Sequence, residues 1–131
     1  MTDLKTKAVS LLGSVDSINM QGVAATTLYT VPAGMKCVPD HILIRNVTAS
    51  LAGCACTFGQ STALTDFLPA HTLTNIDAAG EAVRLFPISA TTPALAIVEY
   101  TAAEIIQMNV TVAATGAAEA TVELWGTIDT A

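Results

Sequence analysis

The chain has 131 residues and a net charge of −6, from five Lys or Arg and eleven Asp or Glu. That length fits one domain. The basic residues Lys5, Lys7, Lys36, Arg45 and Arg84 are scattered and form no stripe to track phosphates, which excludes direct nucleic-acid binding. An acidic surface is repelled by anionic lipid, and no run approaches the roughly 20 apolar residues that cross a bilayer as a helix, so no membrane partner is expected.

Hydrophobic residues make up 52% and charged residues 12%, well below the share of about 25% in ordinary soluble domains. So little charge favours an oligomer or a lattice-bound subunit. The stretch from Ala8 to Val15 follows two lysines, but Asp16 interrupts it and no cleavage site follows, so the chain is expected to act without export. Cys37, Cys54 and Cys56 are an odd number, which argues against a disulfide framework.

Residues 3–12 place Leu4, Ala8, Leu11 and Leu12 near helical spacing, with Thr2 or Asp3 as N-cap and Gly13 as stop. The same segment reads as a docking arm or as an ordinary first strand. We divide the chain into an N-terminal arm over 1–22 and a β-domain over 23–131. Residues 26–31 are rich in Thr, Tyr and Val and predict a strand, followed by a type I turn at Val31–Gly34 with Pro32 second and Gly34 fourth. In HILIRNV, Ile42 and Ile44 face one side and His41, Leu43 and Arg45 the other. Pro39 marks an edge, a bulge or the strand start.

A turn at 51–53 and a short strand at 55–59 follow. Polar breaks interrupt residues 60–80 around Phe67, Leu68, Leu73 and Ile76. Residues 81–88 predict a strand ended by Pro87, and Pro93 opens another apolar run. Ile106, Met108, Val110 and Val112 alternate with polar residues, as do Val122, Leu124 and Ile128, which predicts a C-terminal hairpin with one buried and one polar face. Short strands at regular spacing without long helices indicate an all-β, jelly-roll-like antiparallel β-sandwich of about eight strands.

No constellation for chemistry emerges. The possible general bases His41 and His71 stand in no nucleophile motif, the carboxylates are dispersed, and phosphate-loop and dinucleotide fingerprints are absent. We expect no enzyme, no cofactor and no catalytic residue. Cys54 and Cys56 share a strand face, but a structural zinc site needs four ligands, so they read as small buried thiols and no metal is expected. Trp125 falls on the polar face of the last strand. There it can pack under a loop, cover a contact between subunits, or stack on a sugar as in a carbohydrate-binding sandwich.

The run Leu28–Cys37 (LYTVPAGMKC), then Ile44-Arg45-Asn46, the turn Ala49–Gly53 and Thr57-Phe58-Gly59 resemble virion proteins of tailed bacteriophages. In those chains an LYTVPAGK opening leads into a strand ending in RN. Ala120–Gly126 (ATVELWG) is similar to their closing strand, and together these cover about a third of the chain. The resemblance implies a virion structural protein made in the host cytoplasm, of the capsid decoration (cement) type. Such proteins form homotrimers on the capsid surface, bind the major capsid protein and often use a terminal arm. A neck, tail or head-fibre component is the alternative. On this reading Leu4, Val9, Leu11 and Leu12 are the expected lattice-facing anchors and Trp125 a subunit contact. A chain without residues 1–20 is expected to fold but no longer to bind capsids.

Overall fold

Alternation sets the core. Along HILIR, Ile42 and Ile44 are fully buried while Arg45 lies in solvent; along IIQMNV, Ile106, Met108 and Val110 turn inward. Burying each such side chain contributes about 1.5–3 kcal/mol, and a pleated strand delivers one every second residue. A computed structural model describes residues 8–86 and 99–130. Among these it has nine strands: β1 (Ser10–Asn19), β2 (Ala25–Thr30), β3 (Met35–Arg45), β4 (Ala55–Gln60), β5 (Ala63–Thr72), β6 (Val83–Leu85), β7 (Tyr100–Thr101), β8 (Ile105–Val112) and β9 (Glu119–Thr130).

The strands form two antiparallel sheets. One runs β1-β9-β3-β6, with β7 also on β3, and the other runs β2-β8-β4-β5. The pairing is nested: β1 joins β9, β2 joins β8, β3 joins β6 and β7, and β4 joins β5. A long hairpin wrapped around itself gives this order, which is the jelly roll. β6 pairs with Ile42–Ile44 and β7 with Lys36–Cys37, so the two share one edge of β3 and fill one strand position. Eight positions result, matching the expected all-β sandwich. The inner faces meet through Ile42, Ile44, Val122 and Leu124 on one side and Phe58 and Ile106 on the other.

Several local expectations are corrected. Residues 10–19 are a sheet strand, which is the first-strand reading of this segment and not the helix; residues 3–7 lie outside the described residues. The ladder to β9 competes successfully with a short helix that would be marginal alone. Ile18 and Met20 enter the core, and Met20 donates its N–H to the Ala118 carbonyl and accepts from the Ala114 N–H, both at 2.9 Å. Gly13, expected as a helix stop, is a crossing point where the β1 backbone rides against the Leu28 carbonyl of β2.

The expected C-terminal hairpin is also absent. β8 and β9 lie in different sheets, because β8 is flanked by β2 and β4 and β9 by β1 and β3. The turn after β2 closes one residue later than expected, through the Met35 N–H and the Pro32 carbonyl at 3.2 Å. The Val31 carbonyl is already taken by the Ala103 N–H at 2.9 Å. Gly34 thus becomes the third turn residue with φ +74°, the type II position that glycine fills without strain. The polar breaks at 60–80 conceal β5, an edge strand that tolerates Pro69 because its outer side needs no donor. The strand expected over 81–88 is confined to Val83–Leu85 in the described part, and most of the run after Pro93 lies outside it.

Candidate protein-docking face

The outer surface of the β1-β9-β3-β6 sheet is where the functional candidates converge. Pro39 lies at a bulge, so β3 pairs Pro39 with Gly126 and then His41 with Trp125. That bulge sets His41 beside Trp125. The two rings are near-parallel, 8° apart with centroids at 5.9 Å. On its other side His41 meets Phe86, just past β6, at 5.8 Å and 45°. Leu11 of β1 pairs with Trp125 from the opposite edge. A row of Leu11, Trp125, His41 and Phe86 therefore crosses four strand positions. Leu11 and Phe86, at its two ends, are nearly half exposed. Aromatic cross-strand pairs of this kind each contribute about 0.2–1 kcal/mol to the sheet.

Polar groups frame the row. Glu123 is 4% exposed although it points to the outer face. Its Oε2 accepts from Arg45 Nε at 3.0 Å and Nη2 at 2.8 Å, and its Oε1 accepts from Trp125 Nε1 at 3.2 Å. Arg45 and Trp125 thus roof over the carboxylate, and the pairing supplies what burial removes. Next to it Thr121, also buried, donates to Asp16 Oδ1 at 3.1 Å. The polar face expected for the last strand is therefore polar yet largely covered by its neighbours. His41 Nδ1 lies 2.7 Å from Asp40 Oδ2, which fixes the ring, and its side chain is only 13% exposed. Leu43 and Val38 are half-buried on the same face.

An apolar centre inside a hydrogen-bonded rim is the anatomy of a protein interface. Of the expected anchors, Val9 and Leu11 are exposed, and Leu11 belongs to the row. Leu12 packs against the core instead, since a strand sends neighbours to opposite faces. Leu4 lies outside the described residues. Trp125 is half-buried between Leu11 and His41. Sequence alternation placed His41 and Trp125 outward, but not beside each other. Phe86 was missed as a surface group, because only the register of β6 on β3 sets it next to His41.

The remaining candidates stand apart. A cleft of about 190 Å³ between the β5 and β6 edges is lined by Leu68, His71, Asn75, Val83, Arg84 and Phe86, among others. Among the described residues that line this cleft with His71, none carries a hydroxyl, thiol or carboxylate. Cys37, Cys54 and Cys56 are free and fully buried. Burial pushes the Cys37 thiol up to about 11. A hydrogen bond to Cys54, together with burial, raises Cys56. Among the described residues, no three His, Cys, Asp or Glu side chains are grouped to hold a metal ion.

No family model matches the chain, and no curated protein is similar to it. Among solved structures it resembles a chain of the cyanophage Pam1 capsid asymmetric unit, with a TM-score of 0.51 and 18% identity. The likeness covers 92% of this chain and 82% of that one. At that identity it supports the jelly-roll fold alone.

Proposed function

We propose that the protein is a structural subunit of a phage capsid, of the decoration type that binds the major capsid protein and stabilises the expanded head. The observation that carries this reading is the apolar row on the sheet's outer face. A domain with exposed Leu11 and Phe86 at the two ends of such a row, and with so few charges, is built to be covered by protein. The likeness in fold to a chain from a cyanophage capsid and the resemblance of the Leu28–Cys37 run to phage virion proteins support the same reading. Attachment falls to the N-terminal segment, where exposed Val9 adjoins Leu11 of the row. The role is adhesive, not catalytic: many copies, each making modest contacts, together resist forces that a single contact does not.

Quantitative mass spectrometry of purified particles tests the proposal. Hundreds of copies per particle, in fixed ratio to the major capsid protein, are expected. A dozen copies or fewer would assign the chain to the neck or tail, and its absence from particles would overturn the reading.

A further inference from the structure

We infer that the outer face of the β1-β9-β3-β6 sheet packs against the same face of a second copy of this chain. The two-fold axis runs along the Leu11–Trp125–His41–Phe86 row. This inference rests on the reading above only in taking the face as adhesive, and it requires no capsid.

The argument is the face's complementarity to itself. Arg84 pairs with Leu43, which pairs with Glu123, two residues to one side of Trp125 along β9. Glu99 precedes Tyr100, which pairs with Cys37, so Glu99 comes level with Val38 and Thr127, two residues to the other side of Trp125. Arg84 and Glu99 are both exposed and occupy the same edge of β3. A two-fold axis across the strands keeps each strand position over itself and reverses its direction. Arg84 of each copy then faces Glu99 of the other, and half-buried Leu43 faces half-buried Val38. The aromatic row lies on the axis, with half-exposed Asp40, held against His41, beside it.

The same operation brings Arg45 over Lys36, but each holds a carboxylate of its own: Glu123 for Arg45, and Glu99 at 3.8 Å for Lys36. The Lys36 pair uses one Glu99 oxygen, and that side chain is half exposed. Four strand positions at about 4.8 Å and ten residues at about 3.3 Å give a face of roughly 20 by 30 Å. Two such faces bury at most on the order of 1,200 Å², the low end for specific association. Twisted sheets packed face to face with strand directions within about 30° of each other are a standard arrangement.

Sedimentation equilibrium of the full chain, over a range of concentrations at low salt, provides the test. A reversible dimer with micromolar affinity is expected. Arg84→Glu and Glu99→Arg should each weaken it at least about tenfold through like-charge juxtaposition. The melting temperature of Arg84→Glu should be unchanged because that side chain is exposed, while Glu99→Arg also loses the Lys36 pair and should melt slightly lower. An equimolar mixture of the two variants should dimerise to within a few-fold of the native chain. A persistent monomer, a trimer as the phage resemblance implies, or a mixture no tighter than its components would overturn the inference. A charge-dependent dimer from a chain absent from virions would uphold it while removing the capsid reading.

Discussion

Two backbones meet at Gly13. A Cβ there would overlap the Leu28 carbonyl and touch Tyr29 Cβ at 3.4 Å, so the β1 edge of one sheet and the β2 edge of the other approach as closely as main chains can. Gly13→Ala must push the strands apart, at a cost of about 1–3 kcal/mol. Thermal unfolding should show a melting temperature lower by roughly 3–12 °C. An unchanged transition would mean that the strands do not touch there. Residues of this kind are hard to read from sequence. A glycine after Leu11-Leu12 looks like a helix stop, and nothing local distinguishes a stop from a crossing. Trp125 and His41 were legible as outward-facing through alternation alone. Their contact was not, since it depends on a one-residue bulge after Pro39.

At the scale of elements, β1 is the most consequential reassignment. It supplies Ile18 to the core, leads into Met20, and pairs along β9 from Ser10 to Asn19. Deleting residues 1–20 should therefore abolish cooperative unfolding instead of leaving a sandwich, as near-ultraviolet circular dichroism and a thermal melt will report. A truncated chain that melts cooperatively would restore the arm as a separate unit. Strands with clean alternation, β3, β8 and β9, were visible in the sequence because one face of each meets the core. β5 was not. Asp66 breaks its pattern by turning to accept a 2.6 Å hydrogen bond from the Tyr100 hydroxyl of the other sheet, and bulges shift its register against β4. The C-terminal pair was misjoined because neighbours in sequence usually pair, whereas this jelly roll sends β8 and β9 to opposite sheets.

For the molecule as a whole, the buried thiols and phenol tie stability to pH. Cys37 moves from 9.0 to about 11 on folding because burial disfavours the thiolate. Tyr100 is raised too, first by burial and then by its hydrogen bond to Asp66. Groups raised on folding bind protons more tightly in the native state. Their contribution is complete below the unfolded value and is lost as pH climbs toward the folded one. The melting temperature should therefore hold level up to about pH 8.5 and fall between pH 9 and 11. Cys37→Ala should flatten part of that decline while lowering stability at neutral pH. A melting curve that is indifferent to alkali would contradict the burial assigned to these groups.

The nested pairing also sets a schedule for the chain's birth. β9 sits between β1 and β3, so the five-stranded sheet has no centre until residues 119–130 have left the ribosome. Until then β1 and β3 wait with bare edges, and non-local pairing of this kind is slow and open to aggregation. Nascent copies made side by side on one message are exposed to one another through that interval. Chaperone demand and expression temperature should consequently govern yield more than the strength of the finished fold does.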